Sequence, residues 1–342
     1  MGRSLRLAVA ACAALGTLAF AGSAWAAYTP SLVSVSLTNG AGKPTTMLLG
    51  HIQGVTDDPT QKDTIYAPAG YGINLTAAQN TKIGDVSSTW VLRNSGNQPI
   101  DVDGQIIVDS PANYPAASNT CTPGLTHEAV WRLDITVQAM ALHIPIYVDR
   151  VTTGPDAAFA SAKIELCLPG PIVGTPSGAQ LTFALFDVNG VFTNPASTAD
   201  RVWHALFTPY APGTPDANPA GTTEGQAVVP GRVSLTLKSQ SKRRGVVIIS
   251  GKLLVDGRAF QGATIELYVG NKKVGSAKTK GNGTFTIRKR IKKKTRYRAL
   301  TSFVGSLASC PAPALPAAPL GCKTATLSFV AISNTVTARR KR

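Results

Sequence analysis

The chain has 342 residues, of which 44% are hydrophobic and 6% aromatic, and its formal net charge is +16. This length exceeds one ordinary core and points to two domains. Helical periodicity is nearly absent, while short alternating segments separated by turn residues recur along the chain, so an all-β protein built from sandwiches is expected.

Residues 1–26 read as a signal peptide. Arg3 and Arg6 form a basic start, Leu7 to Phe20 is an uncharged apolar run, and Ala24-Trp25-Ala26 is a small-x-small cleavage site. The run is shorter than the roughly 20 apolar residues of a spanning helix. The mature chain is expected to begin near Ala27, and Cys12 leaves with the signal. No second run of spanning length follows, and the C-terminus has no LPxTG-type sorting motif. The mature protein is therefore expected to be secreted, or held at the cell surface by non-covalent contact.

Residues 27–210 are expected to form an acidic β-sandwich domain of the jelly-roll or immunoglobulin-like kind, and no named family is recognised there. Alternation marks strands at Leu32–Leu37, Lys82–Arg93, Val102–Val108, Val130–Val137, Leu142–Val148, Lys163–Leu168 and Leu181–Val188, within a total of about ten. Pro145 sits inside one of them, which predicts an edge or bulged strand. The segment around 211–231 is rich in Pro and Gly and reads as a linker. Residues 232–336 form the second expected domain, and 337–342 a basic tail.

Charge reverses across this boundary. Ala27 to Val229 holds 8 basic and 16 acidic residues, a net of −8, whereas Pro230 to Arg342 holds 24 basic and 2 acidic, a net of +22. The second domain is expected to fold independently of the first.

The second half carries a family resemblance. Ser250-Gly251-Lys252-Leu253 precedes a turn at Asp256-Gly257, followed by Gly262-Ala263-Thr264-Ile265-Glu266-Leu267-Tyr268-Val269. Then come Gly275, Thr279-Lys280-Gly281-Asn282-Gly283-Thr284-Phe285-Thr286-Ile287 and Thr295-Arg296-Tyr297-Arg298-Ala299. This pattern resembles bacterial immunoglobulin-like and carboxypeptidase-regulatory-like β-sandwich modules, which implies an immunoglobulin-like or prealbumin-like sandwich and is nearly silent about function. Alternation buries Ile265, Leu267 and Val269 and turns Thr264, Glu266 and Tyr268 outward. Some modules of this type form Lys–Asn isopeptide bonds beside a buried acid, and an outward Glu266 is poorly placed for that chemistry. The insert Cys310 to Cys322 departs from the pattern and reads as a disulfide-closed, Pro-rich loop.

Four cysteines remain after signal removal: Cys121, Cys167, Cys310 and Cys322. An even, small number in an exported chain favours disulfides. Three pairings exist on paper. Cys121 with Cys167 and Cys310 with Cys322 is favoured, because each pair then lies within one expected domain.

Catalytic chemistry is hard to place. His127-Glu128 begins like HExxH, but position 131 is Trp131, so an exposed strand start is expected instead. His51, His143 and His204 stand alone in sequence and read as structural. Asp101-Val102-Asp103-Gly104 opens like a calcium loop, yet position 112 is Ala112 where a closing Glu is needed, so a polar turn is expected. No GxSxG or GxxxxGK motif occurs. No catalytic residue, metal or cofactor is assigned, although two carboxylates from distant strands could still be brought together for hydrolysis.

The basic run carries the functional expectation. Arg288, Lys289, Arg290, Lys292, Lys293, Lys294, Arg296 and Arg298 place eight cations in eleven residues across a strand, a turn and the next strand. Lys242-Arg243-Arg244, Lys272-Lys273 and Arg339–Arg342 add the same sign. So large a net charge costs self-repulsion and favours a polyanionic partner. Nucleic acid is disfavoured by export and by the lack of an aromatic-interleaved motif. An anionic cell-envelope polymer, membrane headgroups or the protein's own acidic first domain remain. The leading expectation is a non-enzymatic extracellular binding or structural protein. The alternatives are a carbohydrate-binding or adhesive module stacking sugars on Trp90, Trp131 or Trp203, and a secreted hydrolase.

Overall fold

Alternating segments become strands throughout. The computed structural model describes residues 28–342 except 39, 94–95, 138–139, 171–178, 200, 213, 243–244, 317, 319–320 and 340–342. The expected signal peptide, Arg243, Arg244 and the last three residues of the basic tail lie outside the described residues. Among the described residues, helix is confined to short 3-10 turns such as Pro111–Asn113. No helix among the described residues is long and apolar enough to cross a membrane. The all-β class is as the sequence indicates.

The first half contains β1 (Ser31–Ser36), β2 (Pro44–Ile52), β3 (Thr60–Pro68), β4 (Gly72–Ile73), β5 (Lys82–Leu92) and β6 (Gln98–Asp109). It continues with β7 (Ala129–Val137), β8 (Met140–Arg150), β9 (Ala160–Cys167), β10 (Ala179–Thr193), β11 (Arg201–Pro209) and β12 (Thr223–Val229). Antiparallel ladders join these in the order β1-β2-β10-β5-β6-β7-β8-β9-β3-β11-β12, with β4 beside β10. The sheet curls without closing into a barrel. Leu49, Ile106, Trp131, Ile146, Ile164 and Phe186, from six different strands, surround an apolar void of about 30 Å³. Pro145 pairs with Arg132 of β7, while the β9 ladder begins only at Ile146. Its missing N–H thus falls where the strand has a free side, and no bulge is needed.

The second half contains β13 (Val233–Ser241), β14 (Val246–Val255), β15 (Arg258–Ala259), β16 (Thr264–Val269), β17 (Lys272–Lys278), β18 (Thr284–Arg290), β19 (Thr295–Ser306), β20 (Cys322–Ile332) and β21 (Val336–Ala338). One sheet is β13-β14-β18 with β15 at the turn. The facing layer runs β17-β16-β19-β20, with β21 on β19. Leu237, Ile249, Ile265, Leu267, Phe285 and Phe329 fill the space between them. Both favoured disulfides form, Cys121 to Cys167 and Cys310 to Cys322, with Cα separations of 5.6 and 6.3 Å.

The linker reading fails at its second half. Thr223–Val229 is a strand buried at every position, and it pairs antiparallel with β11 and parallel with β20. The two halves also share hydrogen-bonded edges, because β20 pairs with β12 of the first half and with β19 of the second. Leu327, Phe329 and Ala331 on one face of β20 enter the second core. On the other face, the hydroxyls of Thr324, Thr326 and Ser328 donate to the backbone carbonyls of Pro30, just before β1, and of Leu32 and Ser34 within it, at 3.0 and 2.7 Å for the first two. Val330 follows them into an apolar cluster with Val33, Val35, Leu48 and Leu185. β1 and β12 end the curled sheet, and β20 bridges them.

The Cys310–Cys322 loop seals one end of this seam. The buried Glu224 carboxylate accepts from Leu315 N (2.8 Å), and the Gln226 carboxamide meets both backbone groups of Ala312 (3.2 and 3.4 Å). Leu315 inserts beside Tyr66 and Ala160. At the junction, a Cβ on Gly231 would lie 2.0 Å from the Thr198 carbonyl oxygen, so glycine is required for the chain to pass from β12 to β13 here.

Replacing Thr324 and Thr326 with Val and Ser328 with Ala removes three hydroxyl hydrogen bonds while leaving the backbone ladders intact. The expected loss is about 3 kcal/mol at roughly 1 kcal/mol each, read as a lower urea midpoint with one cooperative transition retained. An unchanged midpoint would show that the seam does not couple the halves.

Candidate functional site

The eight-cation run does not form one patch. β18 pairs with β14, whereas β19 pairs with β16, β20 and β21, so the segment between them crosses from one sheet to the other instead of turning back as a hairpin. Phe285 and Ile287 face the core, which turns Arg288 and Arg290 to the solvent side of one sheet. Tyr297 and Ala299 do the same from the other layer and place Arg296 and Arg298 on the opposite outer surface. Ile291 is buried and anchors the crossing, with Lys292, Lys293 and Lys294 exposed beyond it. Lys289 is half-buried and folds over Gly275, where a Cβ would lie 2.9 Å from its Cε.

Part of this charge has a local task. β17 and β18 are edge strands that each pair on one side only, with β16 and β14. Lys272, Lys273 and Lys278 on β17 and Arg288, Lys289 and Arg290 on β18 hinder another chain from adding to those edges. The outer face of the second layer also holds Glu266, an acid on β16. Glu266 points away from the core, as alternation requires, and accepts from Tyr268 Oη (2.7 Å) and Lys273 Nζ. Burial works to raise the Glu266 pKa, but the Lys273 and Tyr268 hydrogen bonds outweigh it and hold it below its usual value. Tyr268 is pushed up to about 12 by burial and by its bond to Glu266.

The first half pairs many of its polar side chains with one another. All four histidines of the sequence set Nδ1 against a carboxylate: His51 on Asp63 (3.0 Å), His127 on Asp149 (2.8 Å), His143 on Asp134 (2.6 Å) and His204 on Glu224 (2.6 Å). Burial works to lower the His51 pKa, but Asp63 outweighs it and the net shift is upward. The exposed strand start expected at His127 is not found, since its imidazole is only 2% exposed. Thr122 Oγ1 lies 2.7 Å from His127 Nε2, so Thr122, His127 and Asp149 form a relay like that of an activated hydroxyl. Thr122 is buried and its oxygen also accepts from Asn119 (2.6 Å). A hydroxyl so enclosed cannot meet a substrate, and the relay locks the Asn119–His127 loop beside the Cys121–Cys167 bridge.

Ligand-type atoms of His127, Asp149 and Glu165 lie within 4.8 Å of one another. Their donors are already engaged: both His127 nitrogens as above, and Glu165 by Lys62 (2.6 Å) and Lys163 (2.8 Å). Two ammonium groups already neutralise the Glu165 carboxylate that a dication would need. Asp101 and Asp103 lie on β6 rather than in a turn, and accept from Thr89 and Ser87. Trp90, Trp131 and Trp203 are 2%, 3% and 0% exposed, because they occupy inward positions, so none is a sugar-stacking platform. A groove of about 350 Å³ beside the first disulfide is lined by Tyr114, His143, Pro145 and Tyr147 among others.

No family model matches the chain, and no curated protein does. Among solved structures, a chain described as a biofilm associated protein, BSP domain, aligns at 8% identity over 94% of this chain and 68% of its own length, with a TM-score of 0.19. At that score the likeness carries no argument about fold or function. What fold and site define is an all-β protein of two joined halves, one acidic with most of its cations ion-paired and one openly cationic.

Burial works to raise the Glu165 pKa, but Lys62 and Lys163 outweigh it and hold it below its usual value. A carboxyl depressed on folding stabilises the protein above its unfolded pKa of about 4.3, and that contribution is lost as pH falls through the folded value. Glu165→Gln is therefore expected to cost about 1–3 kcal/mol at neutral pH. The difference from the parent should shrink below about pH 4, as read from urea midpoints across pH.

Proposed function

We propose that this is an exported, non-enzymatic extracellular or surface protein whose basic second half holds it to an anionic cell-envelope polymer. The observation that carries this reading is the contrast in charge pairing. In the first half, Lys62, Lys82, Arg132, Arg150 and Lys163, five of its eight basic residues, form ion pairs. In the second half, Lys273 pairs with Glu266, and only two acids stand against 24 basic residues. Unneutralised charge of one sign destabilises a compact state unless a partner of opposite sign meets it.

The first half is not the partner favoured by the contacts. Its seam with the second half is built from a backbone ladder, Ser and Thr hydroxyls and apolar side chains. Arg296 and Arg298 lie on β19 level with β21 and β16, away from the 300–306 stretch that pairs with β20. The paired layers of the second half support its reading as a bacterial immunoglobulin-like module, with the curled first half as the structural or presenting part. Secretion, or non-covalent retention at a cell surface, follows from the expected signal peptide and from this electrostatic attachment.

Retention of the Ala27–Arg342 chain on a purified bacterial envelope fraction should fall steeply with salt, since the screening length drops from about 8 Å at physiological ionic strength to about 3 Å at 1 M. Release well below about 1 M NaCl is expected. Retention that survives about 1 M NaCl would replace electrostatic attachment with a shaped or apolar contact.

A further inference from the structure

The register of β13, β14 and β18 assembles a surface that no contiguous segment of the sequence contains. Four successive rows cross the outer face of this sheet. They are Thr236–Lys252–Thr284, Lys238–Ser250–Thr286, Gln240–Ile248–Arg288 and the pair Val246–Arg290. Each row holds one cation, and no row holds an acid. Lys238, Lys252, Arg288 and Arg290 are all exposed. Rows on one face of a strand are about 7 Å apart, two residues of rise. An extended chain lying along the strands thus meets a positive charge at every row.

We propose that this face is the ligand-contacting surface and that its ligand is an extended anionic polysaccharide. The inference rests on the attachment role proposed above and narrows it to one surface and one ligand class. Between the cations stand the hydroxyls of Thr236, Ser250, Thr284 and Thr286 and the Gln240 carboxamide, which suit a ligand bearing hydroxyl groups between its charges. Val246 and Ile248, half-exposed on the same rows, offer apolar contact to the C–H faces of sugar rings. No aromatic residue occupies these positions, so the stacking by which single-stranded nucleic acid is held is not available. The aromatic and leucine side chains that seat a surface element in a bilayer are likewise missing from the four rows. An ordinary solvated sheet face mixes both signs of charge, and this one does not.

The test compares two variants of the full Ala27–Arg342 chain that lose equal charge. One carries Lys238→Gln, Lys252→Gln, Arg288→Gln and Arg290→Gln. The other carries Lys292→Gln, Lys293→Gln, Lys294→Gln and Arg296→Gln. Retention is measured on immobilised alginate, on immobilised polyphosphate and on vesicles containing anionic lipid, at about 50 mM salt, with thermal melts confirming that each variant folds. The expected result is alginate binding by the parent, about tenfold or greater loss in the first variant, and less than about threefold loss in the second. Equal losses would overturn the face while leaving electrostatic attachment standing. Retention on vesicles or polyphosphate without retention on alginate would overturn the ligand class. No retention on any of the three, nor on the envelope fraction, would remove the attachment role itself. Should the first variant fail to fold, the single reversals Lys238→Glu and Lys252→Glu replace it, with the same expected loss and the same overturning result.

Discussion

β20 is the strand on which both halves depend, because it satisfies three demands at once. One backbone edge pairs with β19 and the other with β12. One face fills the second core with Leu327, Phe329 and Ala331, and the other presents Thr324, Thr326 and Ser328 to the carbonyls of β1. A curled sheet that does not close leaves backbone acceptors on its end strand, and buried acceptors without donors are costly. Hydroxyls spaced two residues apart meet those acceptors because β-strands repeat side chains on one face with that period. The disulfide loop next to β20 extends the same solution by giving the buried Glu224 and Gln226 backbone partners.

With the seam made of backbone, hydroxyl and apolar groups and the buried Glu224 carboxylate, the cations of the second half are left outside it. Edge protection accounts for some of them, since β17 and β18 would otherwise offer open ladders. It does not account for Lys252 on the central strand β14, or for the absence of any acid on the rows around it. The first half shows the opposite habit, with each histidine on a carboxylate and Glu165 between two lysines. Cations are mostly paired in the first half and mostly unmatched on the surface of the second.

Much of this was legible from residue order. Alternation located β1, β5, β6, β7, β8, β9 and β10, turned Glu266 outward, and the even cysteine count with its grouping led to both bridges. The misreadings share a cause. β12 shows no alternation because it is buried on both faces, its polar Glu224 and Gln226 covered by a loop nearly 90 residues later. The basic run is one segment in sequence, yet its two strands join different sheets, a pairing that residue order does not encode.

Local chemistry fixes which residues can form a strand and which face of that strand is apolar, and those two properties the sequence determined by itself. Which edge a strand joins is a long-range choice. That choice alone sent β18 and β19 to different sheets, set each histidine against its acid, and brought Lys238, Lys252, Arg288 and Arg290 onto one surface. Backbone hydrogen bonds carry no residue identity, so only the packing of the two cores and the satisfaction of β1 by β20 could decide it.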